Sequence, residues 1–386
     1  MCNRQERIRV LFVGHTYLVS VNQRKLDALA RTGVVDVALL APERWKQRDW
    51  NRIFELERPF GTIRIFPAPV LFNGIAGAYL YDPLAVCKAI SRFRPDIVQV
   101  EQEVFSLCAL QLALIAKLYR RPVVFFGWEN LDRSLSFIRR MTRRTVLSLA
   151  DAVICGNGDN ETLVRRWGYR GPTVIMPQLG VDTDLFAPAH RKRCAEFTAG
   201  YLGRLVYEKG IDILLSSLAI LRERGRGIHL MVCAEGPLRQ ELVRRAHEKN
   251  LSQLVSWREP VPHSEVPQVM AELDVLVLPS RTVARWKEQF GHVLIEAMAM
   301  GIPVVGSSCG EIPNVIGRQD LIFAENDPRE LAEILERMVQ DDEWRAEVSQ
   351  YVAERVSRLY THETIAKRLV SVYRNLLGSQ AESDMS

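Results

Sequence analysis

The sequence predicts an α/β protein of two doubly wound, parallel-sheet domains facing a central cleft, and three observations carry that expectation. Its 386 residues exceed what one ordinary domain holds. Short aliphatic, β-branched runs alternate with longer amphipathic stretches, the pattern of repeated strand–helix–strand units. The alternation lapses once, at PQLGVDTDLFAP (177–188) and the charged HRKRCAEF after it, and then restarts.

In the first half, apolar runs at 8–14, 35–41, 63–67, 97–101, 123–127, 152–155 and 173–176 read as strands. Strands covered on both faces are almost continuously apolar, as these are. Helical spacing covers 23–31, 83–93, 105–119 and 136–149. In the second half the strands are 198–202, 229–234, 255–257, 275–279, 303–307 and 321–323. Its helices are 210–223, 238–249, 265–273, 293–300, 329–340 and 343–359. A last helical stretch, 362–377, aligns Ile365, Leu369, Val372 and Leu376, and no strand follows it. A first domain is therefore expected at 1–190, a second at 191–361, and a helix with a polar tail at 362–386. Ligands of such folds sit at the carboxyl ends of the strands, where loops lead into helix N-termini.

A composition 47% hydrophobic and 25% charged is that of a soluble globular chain. No apolar run approaches the roughly 18–20 residues a spanning helix needs. The opening MCNRQERIRV is charged and leads straight into a strand, so no secretory leader is expected and a cytoplasmic location is. The seven cysteines (2, 87, 108, 155, 194, 233 and 309) stand singly without a CxxC pair, which argues against a disulfide framework or a zinc site. Residues 1–190 hold 26 Lys/Arg against 18 Asp/Glu, and the remainder holds 25 against 28. The basic half suits an anionic partner. No nucleic-acid partner is expected. GxGxxG, GxxxxGK[ST], HExxH and GxSxG are absent, which removes the usual grounds for a dinucleotide dehydrogenase, a P-loop enzyme, a zinc protease or a serine hydrolase.

Two segments carry the chemistry. In EQFGHVLIEAMAMG (288–301), Gly291 sits where a helix begins, and a helix N-terminus favours an anion such as a diphosphate. Glu288 precedes that helix and Glu296 lies on it, so the two carboxylates suit sugar and ribose hydroxyls; two solvated glutamates are the alternative. In GRLVYEKG (203–210), Arg204 and Lys209 flank a turn after a strand, where cations can meet phosphate oxygens. Gly14 and the Glu235–Gly236–Pro237 turn share that strand-to-helix context more weakly.

The two segments, in this order, resemble the donor site of family 4 glycosyltransferases, with the E-x7-E pattern at Glu288 and Glu296. LGVDTDLFAP and AEGP (234–237) also resemble that family; the likeness is strong over 180–323 and weak before it. The resemblance implies the GT-B fold, a C-terminal helix crossing back to the first domain, retention at the anomeric carbon and no required metal. It implies that Arg204 and Lys209 neutralise the leaving diphosphate and that Glu288 holds donor sugar hydroxyls. Phe290, Gly291, His292 and Val293 would line the sugar and phosphate, and Glu296 would take the ribose. Glu235, Gly236 and the main chain at Val261 would border the donor, while Gly14 would let the first-domain loop approach its phosphates. No cofactor is expected beyond the donor, a UDP- or GDP-sugar, and the acceptor would be a glycan or lipid-linked molecule of surface-polysaccharide or glycoconjugate biosynthesis.

One departure concerns the loop after VVFFG, where many members have a histidine and this chain has Trp128–Glu129–Asn130. Glu129 is the candidate replacement in catalysis, and His15 is a second acceptor-side candidate. RTVARWK (281–287) sets Arg281, Arg285 and Lys287 beside the donor segment, to meet phosphate or merely solvent. Arg133, Arg139, Arg140, Arg143 and Arg144 surround Leu135, Phe137, Ile138, Met141 and Leu147, a candidate contact for an anionic membrane surface or an ordinary charged helix face. Two rival functions stay open: a GT-B-fold sugar-nucleotide epimerase, and a degenerate subunit that only binds sugar nucleotides.

Overall fold

The computed structural model describes residues 7–47, 52–75, 77–188 and 196–383. Cys2 and Cys194 lie outside them. Two compact units form, one of Met1–Gly180 with His362–Ser386 and one of Val181–Thr361. The division thus falls earlier than the 190/191 boundary expected. The cause is local: Val181 pairs in a parallel bridge with Thr361, and the Phe186 ring meets the edge of His263, 5.3 Å between centroids.

In unit 1 the chain runs β1 (Ile8–Val13), α1 (Ser20–Arg31), β2 (Val35–Pro42), β3 (Arg44–Gln47), β4 (Arg52–Glu55), β5 (Ile63–Ala68), β6 (Val70–Leu71) and β7 (Leu80–Tyr81). It continues through α2 (Pro83–Phe93), β8 (Ile97–Glu101), α3 (Leu107–Leu118), β9 (Val123–Gly127), α4 (Phe137–Leu149), β10 (Ala152–Cys155), α5 (Gly158–Arg166) and β11 (Thr173–Ile175). Seven strands form one parallel sheet in the order β11-β10-β9-β8-β1-β2-β5. Successive side chains of a strand point to opposite faces. Accordingly Leu11 and Val13 enter one apolar core with α2, α3 and α4, while Val10 and Phe12 enter another with α1. Both faces are covered, which is why these strands read as largely apolar runs. Asp82, Ser106, Ser136 and Asn157 each accept a backbone N–H at the start of α2, α3, α4 and α5, fixing where those helices begin.

Unit 2 runs β12 (Thr198–Arg204), α6 (Ile211–Glu223), β13 (His229–Glu235), α7 (Arg239–Glu248), β14 (Val255–Arg258), α8 (Val266–Met270) and β15 (Val275–Leu278). Then come α9 (His292–Ala299), β16 (Val304–Ser307), α10 (Ile312–Ile316), β17 (Ile322–Phe323), α11 (Pro328–Gln340) and α12 (Asp342–Leu359). Its six-stranded sheet is parallel, in the order β14-β13-β12-β15-β16-β17. The final helix, α13 (His362–Ser383), belongs to unit 1, where Ile365, Leu369 and Tyr373 are buried in the core that holds Leu26 and Leu29 of α1.

Several elements depart from the sequence reading, among them the unexpected β6, β7 and α10. The antiparallel pair β3–β4 was not expected from RWKQ and RIFE, because only Trp45 of the eight residues is buried. Helix α5 had only three buried positions to announce it. The helix expected over 265–273 contracts to Val266–Met270. No helix among the described residues is long and apolar enough to cross a membrane. Cys87, Cys108, Cys155, Cys233 and Cys309 are free thiols, and burial pushes Cys108 and Cys155 up to about 12.

Candidate functional site: an anion cradle and its carboxylates

The unit 2 candidates gather at the carboxyl ends of β12, β13 and β15. Strand β12 ends on Gly203 and Arg204, both exposed, with Arg204 in register with Glu235 of β13. The turn after β12 closes at Gly210, whose φ is +69°. A Cβ there would lie 1.9 Å from the carbonyl oxygen of Pro279, so only glycine lets this turn pack on the end of β15.

That approach brings two residues far apart in sequence into contact. Lys209 Nζ lies 2.5 Å from Glu288 Oε2, and both side chains are largely buried. Ser280 Oγ donates to the same oxygen at 2.9 Å, and Lys209 Nζ also sits 4.8 Å from the centre of the Trp286 ring. The Glu288 backbone is held as firmly: its N–H donates to Cys309 Sγ (3.4 Å) and its carbonyl accepts from Glu311 N–H (3.1 Å). Glu288 is therefore an enclosed, paired carboxylate, and the solvated alternative fails for it.

Three residues on, Gly291 adopts φ +83° and caps α9. The first turn of α9, from His292 and Val293, presents backbone N–H groups and the positive end of the helix dipole beside the Lys209–Glu288 pair. Phe290 is buried beneath it, its ring 4.9 Å from that of His292 and 5.6 Å from that of Tyr360. Glu296, one turn into α9, holds His263 Nε2 at 3.0 Å from Oε1. The hydrogen bond to Glu296 raises the His263 pKa above the usual imidazole value against a smaller opposing effect of burial. His263 lies two residues past Val261 in the loop after β14. Glu235 ends β13, and its carbonyl accepts from Leu205 N–H at 2.8 Å. Arg281 departs from the solvated expectation: it is buried, bound to Asp212 and lies over the Tyr207 ring at 4.4 Å.

The unit 1 candidates sit at the carboxyl ends of β1, β8 and β9. Glu129 is buried, and its Oε1 accepts from Leu131 N–H (3.3 Å) and Arg133 Nε (3.2 Å). Gly14 is extended, φ −177°, and a Cβ there would meet only ordinary contacts at 3.5 Å. Neither backbone conformation nor packing within the unit demands glycine at that position. His15 stacks on Trp45 (4.4 Å between centroids), and its Nδ1 faces Gln102 Nε2 at 2.8 Å. Burial pushes its pKa down to about 4, so it is a neutral imidazole on the wall of a cavity of about 360 Å³ that Thr16, Asn22, Trp45, Gln47 and Phe54 also line. Beneath it a buried ion pair, Lys25 Nζ to Glu101 Oε1 at 2.7 Å, ties α1 to β8.

Residues 182–355 match the family described as glycosyl transferases group 1, which is nearly the whole of unit 2. The chain carries a glycosyl transferases group 1 domain. A protein of Corynebacterium urealyticum called D-inositol 3-phosphate glycosyltransferase is 30% identical over 263 residues, 62% of this chain and 60% of that protein. The chain thus spans less than two thirds of that relative's length. Two solved structures, a sucrose-phosphate synthase from Thermosynechococcus elongatus (TM-score 0.71, 19% identical, covering 97% of this chain and 100% of that one) and Anabaena HepE in complex with UDP (0.70, 16%, 95% and 100%), share its fold. That fold is GT-B.

Within the group 1 domain, sequence reasoning singled out Arg204, Lys209, Glu288, Gly291 and Glu296 but not Ser280 and His263, the partners of Glu288 and Glu296. His263 carried a signal that went unread: it ends the same post-strand loop, EPVPH, in which Val261 was singled out. Among the described residues no group of three or more His, Cys, Asp or Glu side chains is arranged to hold a metal ion.

Proposed function

We propose that the chain is a retaining, metal-independent glycosyltransferase that moves a hexose-type sugar from UDP- or GDP-sugar to a glycan or lipid-linked acceptor in surface-polysaccharide or glycoconjugate biosynthesis. The observation that carries this reading is the Lys209–Glu288 contact set against the glycine-capped N-terminus of α9, with Glu296 one turn along. Cleaving the bond from sugar to diphosphate leaves negative charge on phosphate and positive character on the anomeric carbon. Arg204, Lys209 and the α9 N–H groups stabilise the first, and the Glu288 carboxylate the second. These fixed positive groups are what a metal would otherwise supply. Glu296 with His263 takes the ribose hydroxyls, and the UDP held by HepE supports a nucleoside diphosphate here. The acceptor oxygen forms the new bond on the face the diphosphate leaves, and its proton passes to a phosphate oxygen, while Glu129 orients the acceptor.

The acceptor reading extends to a membrane. Phe137, Ile138 and Met141 are 68%, 68% and 44% exposed on α4, flanked by exposed Arg139, Arg140 and Arg144. An ordinary helix puts such apolar side chains inside, whereas apolar groups among arginines suit an anionic lipid surface. Vesicles containing phosphatidylserine should pellet the wild-type chain, and Phe137→Ser with Ile138→Ser should abolish it; equal pelleting of that variant removes the membrane from the proposal.

Melting of the protein with a panel of sugar nucleotides tests the donor assignment. One nucleotide class should raise the melting temperature of wild type and fail on Glu296→Ala. No stabiliser at millimolar concentration would sink the assignment. Sugar-nucleotide turnover that ignores every acceptor would favour the epimerase, and binding without turnover the degenerate subunit.

A further inference from the structure

A fully enclosed carboxyl group underlies the loop that presents Glu129. Glu103 lies two residues past the end of β8, and its Oε1 accepts from the N–H groups of Trp128 (2.6 Å) and Glu129 (3.0 Å). Its Oε2 is buried and has no hydrogen-bond partner among the described residues, and Asn160 Oδ1 is in the same condition. Both oxygens border the same point at Gly127, where a Cβ would lie 3.3 Å from Glu103 Oε2 and 3.4 Å from Asn160 Oδ1. Turning the Asn160 amide over does not relieve this, because its Nδ2 donates to the Glu129 carbonyl at 2.8 Å and an oxygen there would face another acceptor. Two buried acceptors without a hydrogen between them are costly, and a single proton on Oε2 satisfies both.

We propose that Glu103 is a positioning residue that works in its protonated form, anchoring Trp128 and Glu129 through Oε1 and donating from Oε2 to Asn160. The loop is then held at both ends: Glu103 takes its N–H groups, while Asn160 and Asn157 take the carbonyls of Glu129 and Trp128. The charged and titratable groups facing Glu103 are Glu129 and Arg133 on the loop and the Cys155 thiol at the end of β10, which burial keeps neutral. Burial pushes Glu103 up to about 7. Glu129, by contrast, has the Arg133 guanidinium beside it, so the two neighbouring carboxyls stand in different surroundings.

This rests on the reading of Glu129 as an acceptor-side group of the transferase. Two variants test it. Glu103→Gln keeps both acceptor bonds and supplies a permanent N–H to Asn160, whereas Glu103→Ala removes all three. Glu103→Ala should lower kcat by about tenfold or more without changing the donor KM, and Glu103→Gln should rescue it. Between about pH 7 and 9, wild-type kcat should fall as Glu103 ionises, and that limb should vanish in Glu103→Gln. A glutamine variant as poor as the alanine one, or an alkaline limb that survives in it, overturns the proposal. If wild type shows no transfer at all, the reading of the transferase fails first, and melting still decides the matter. A carboxyl raised in the folded state stabilises less as pH rises from about 4.5 toward 7, so wild type should lose stability across that window and Glu103→Gln should not. Identical melting profiles refute the protonated form.

Discussion

Replacing Lys209 by Met strips the partner from a carboxylate that is only 9% exposed. Glu288 Oε2 would keep its Ser280 hydrogen bond at 2.9 Å but lose the ammonium at 2.5 Å. Breaking a buried pair by removing one partner costs about 3–5 kcal/mol, because the remaining charge is left uncompensated. The contact with Trp286 adds roughly 0.5–1 kcal/mol. Neutralising both partners, as in Lys209→Met with Glu288→Gln, removes that uncompensated charge, so the double variant should regain most of the loss. Under the proposed function, in which cation and carboxylate both act on the donor, activity should behave differently: each variant should lose about 100- to 1,000-fold in kcat. Urea unfolding followed by tryptophan fluorescence measures the first quantity, and release of nucleoside diphosphate the second. A double variant no more stable than Lys209→Met would show that the pair is not electrostatic. A double variant that regains activity along with stability would show that neither charge acts on the donor.

Two further outcomes follow from the same domain. His263 has its pKa raised by Glu296, so its contribution to stability is complete below about pH 6.5 and is lost as pH rises through the folded value; melting of His263→Ala across that range should lack the alkaline decline seen in wild type. Gly210→Ala should destabilise unit 2 by more than about 2 kcal/mol in chemical denaturation, since it combines positive φ with a Cβ aimed at the Pro279 carbonyl, and a neutral result would mean that the turn is free to move.

How much of this could be read in the sequence depended on whether the signal was local. Strands such as Val123–Gly127 and Ala152–Cys155 were legible to the residue because burial on both faces leaves no polar interruption. Helix α9 and its glycine cap were legible for the same reason, since period, cap and the stop at Gly301 lie within one short segment. The hairpin β3–β4 was not, because its stability rests on Trp45 meeting the unit 1 core while its other residues read as a charged loop. Side-chain partnerships were illegible throughout. Glu288 was singled out by its place before a helix, but its contact with Lys209 spans 79 positions and depends on Gly210 passing the Pro279 carbonyl. Arg281 read as meeting phosphate or merely solvent because Asp212, its partner in the fold, lies 69 positions away. Glu103 gave no sign at all, since a glutamate in a polar stretch reads as solvated until the fold closes over it.

The path of the chain through the two units has a consequence for how such a protein is made and remade. Unit 2 begins and ends on neighbouring strands of chain, Val181 N–H donating to the Tyr360 carbonyl at 2.8 Å, and on the unit 1 side Gly180 N–H donates to His362 Nδ1 at 3.3 Å. Unit 2 is therefore an insertion with adjacent ends, a cassette that can be exchanged between related chains by cutting at 180/181 and 361/362. The same arrangement delays its host: during synthesis the ribosome completes unit 2 before it delivers α13, so the cassette can fold while the first half of the chain still waits with one flank of its core uncovered.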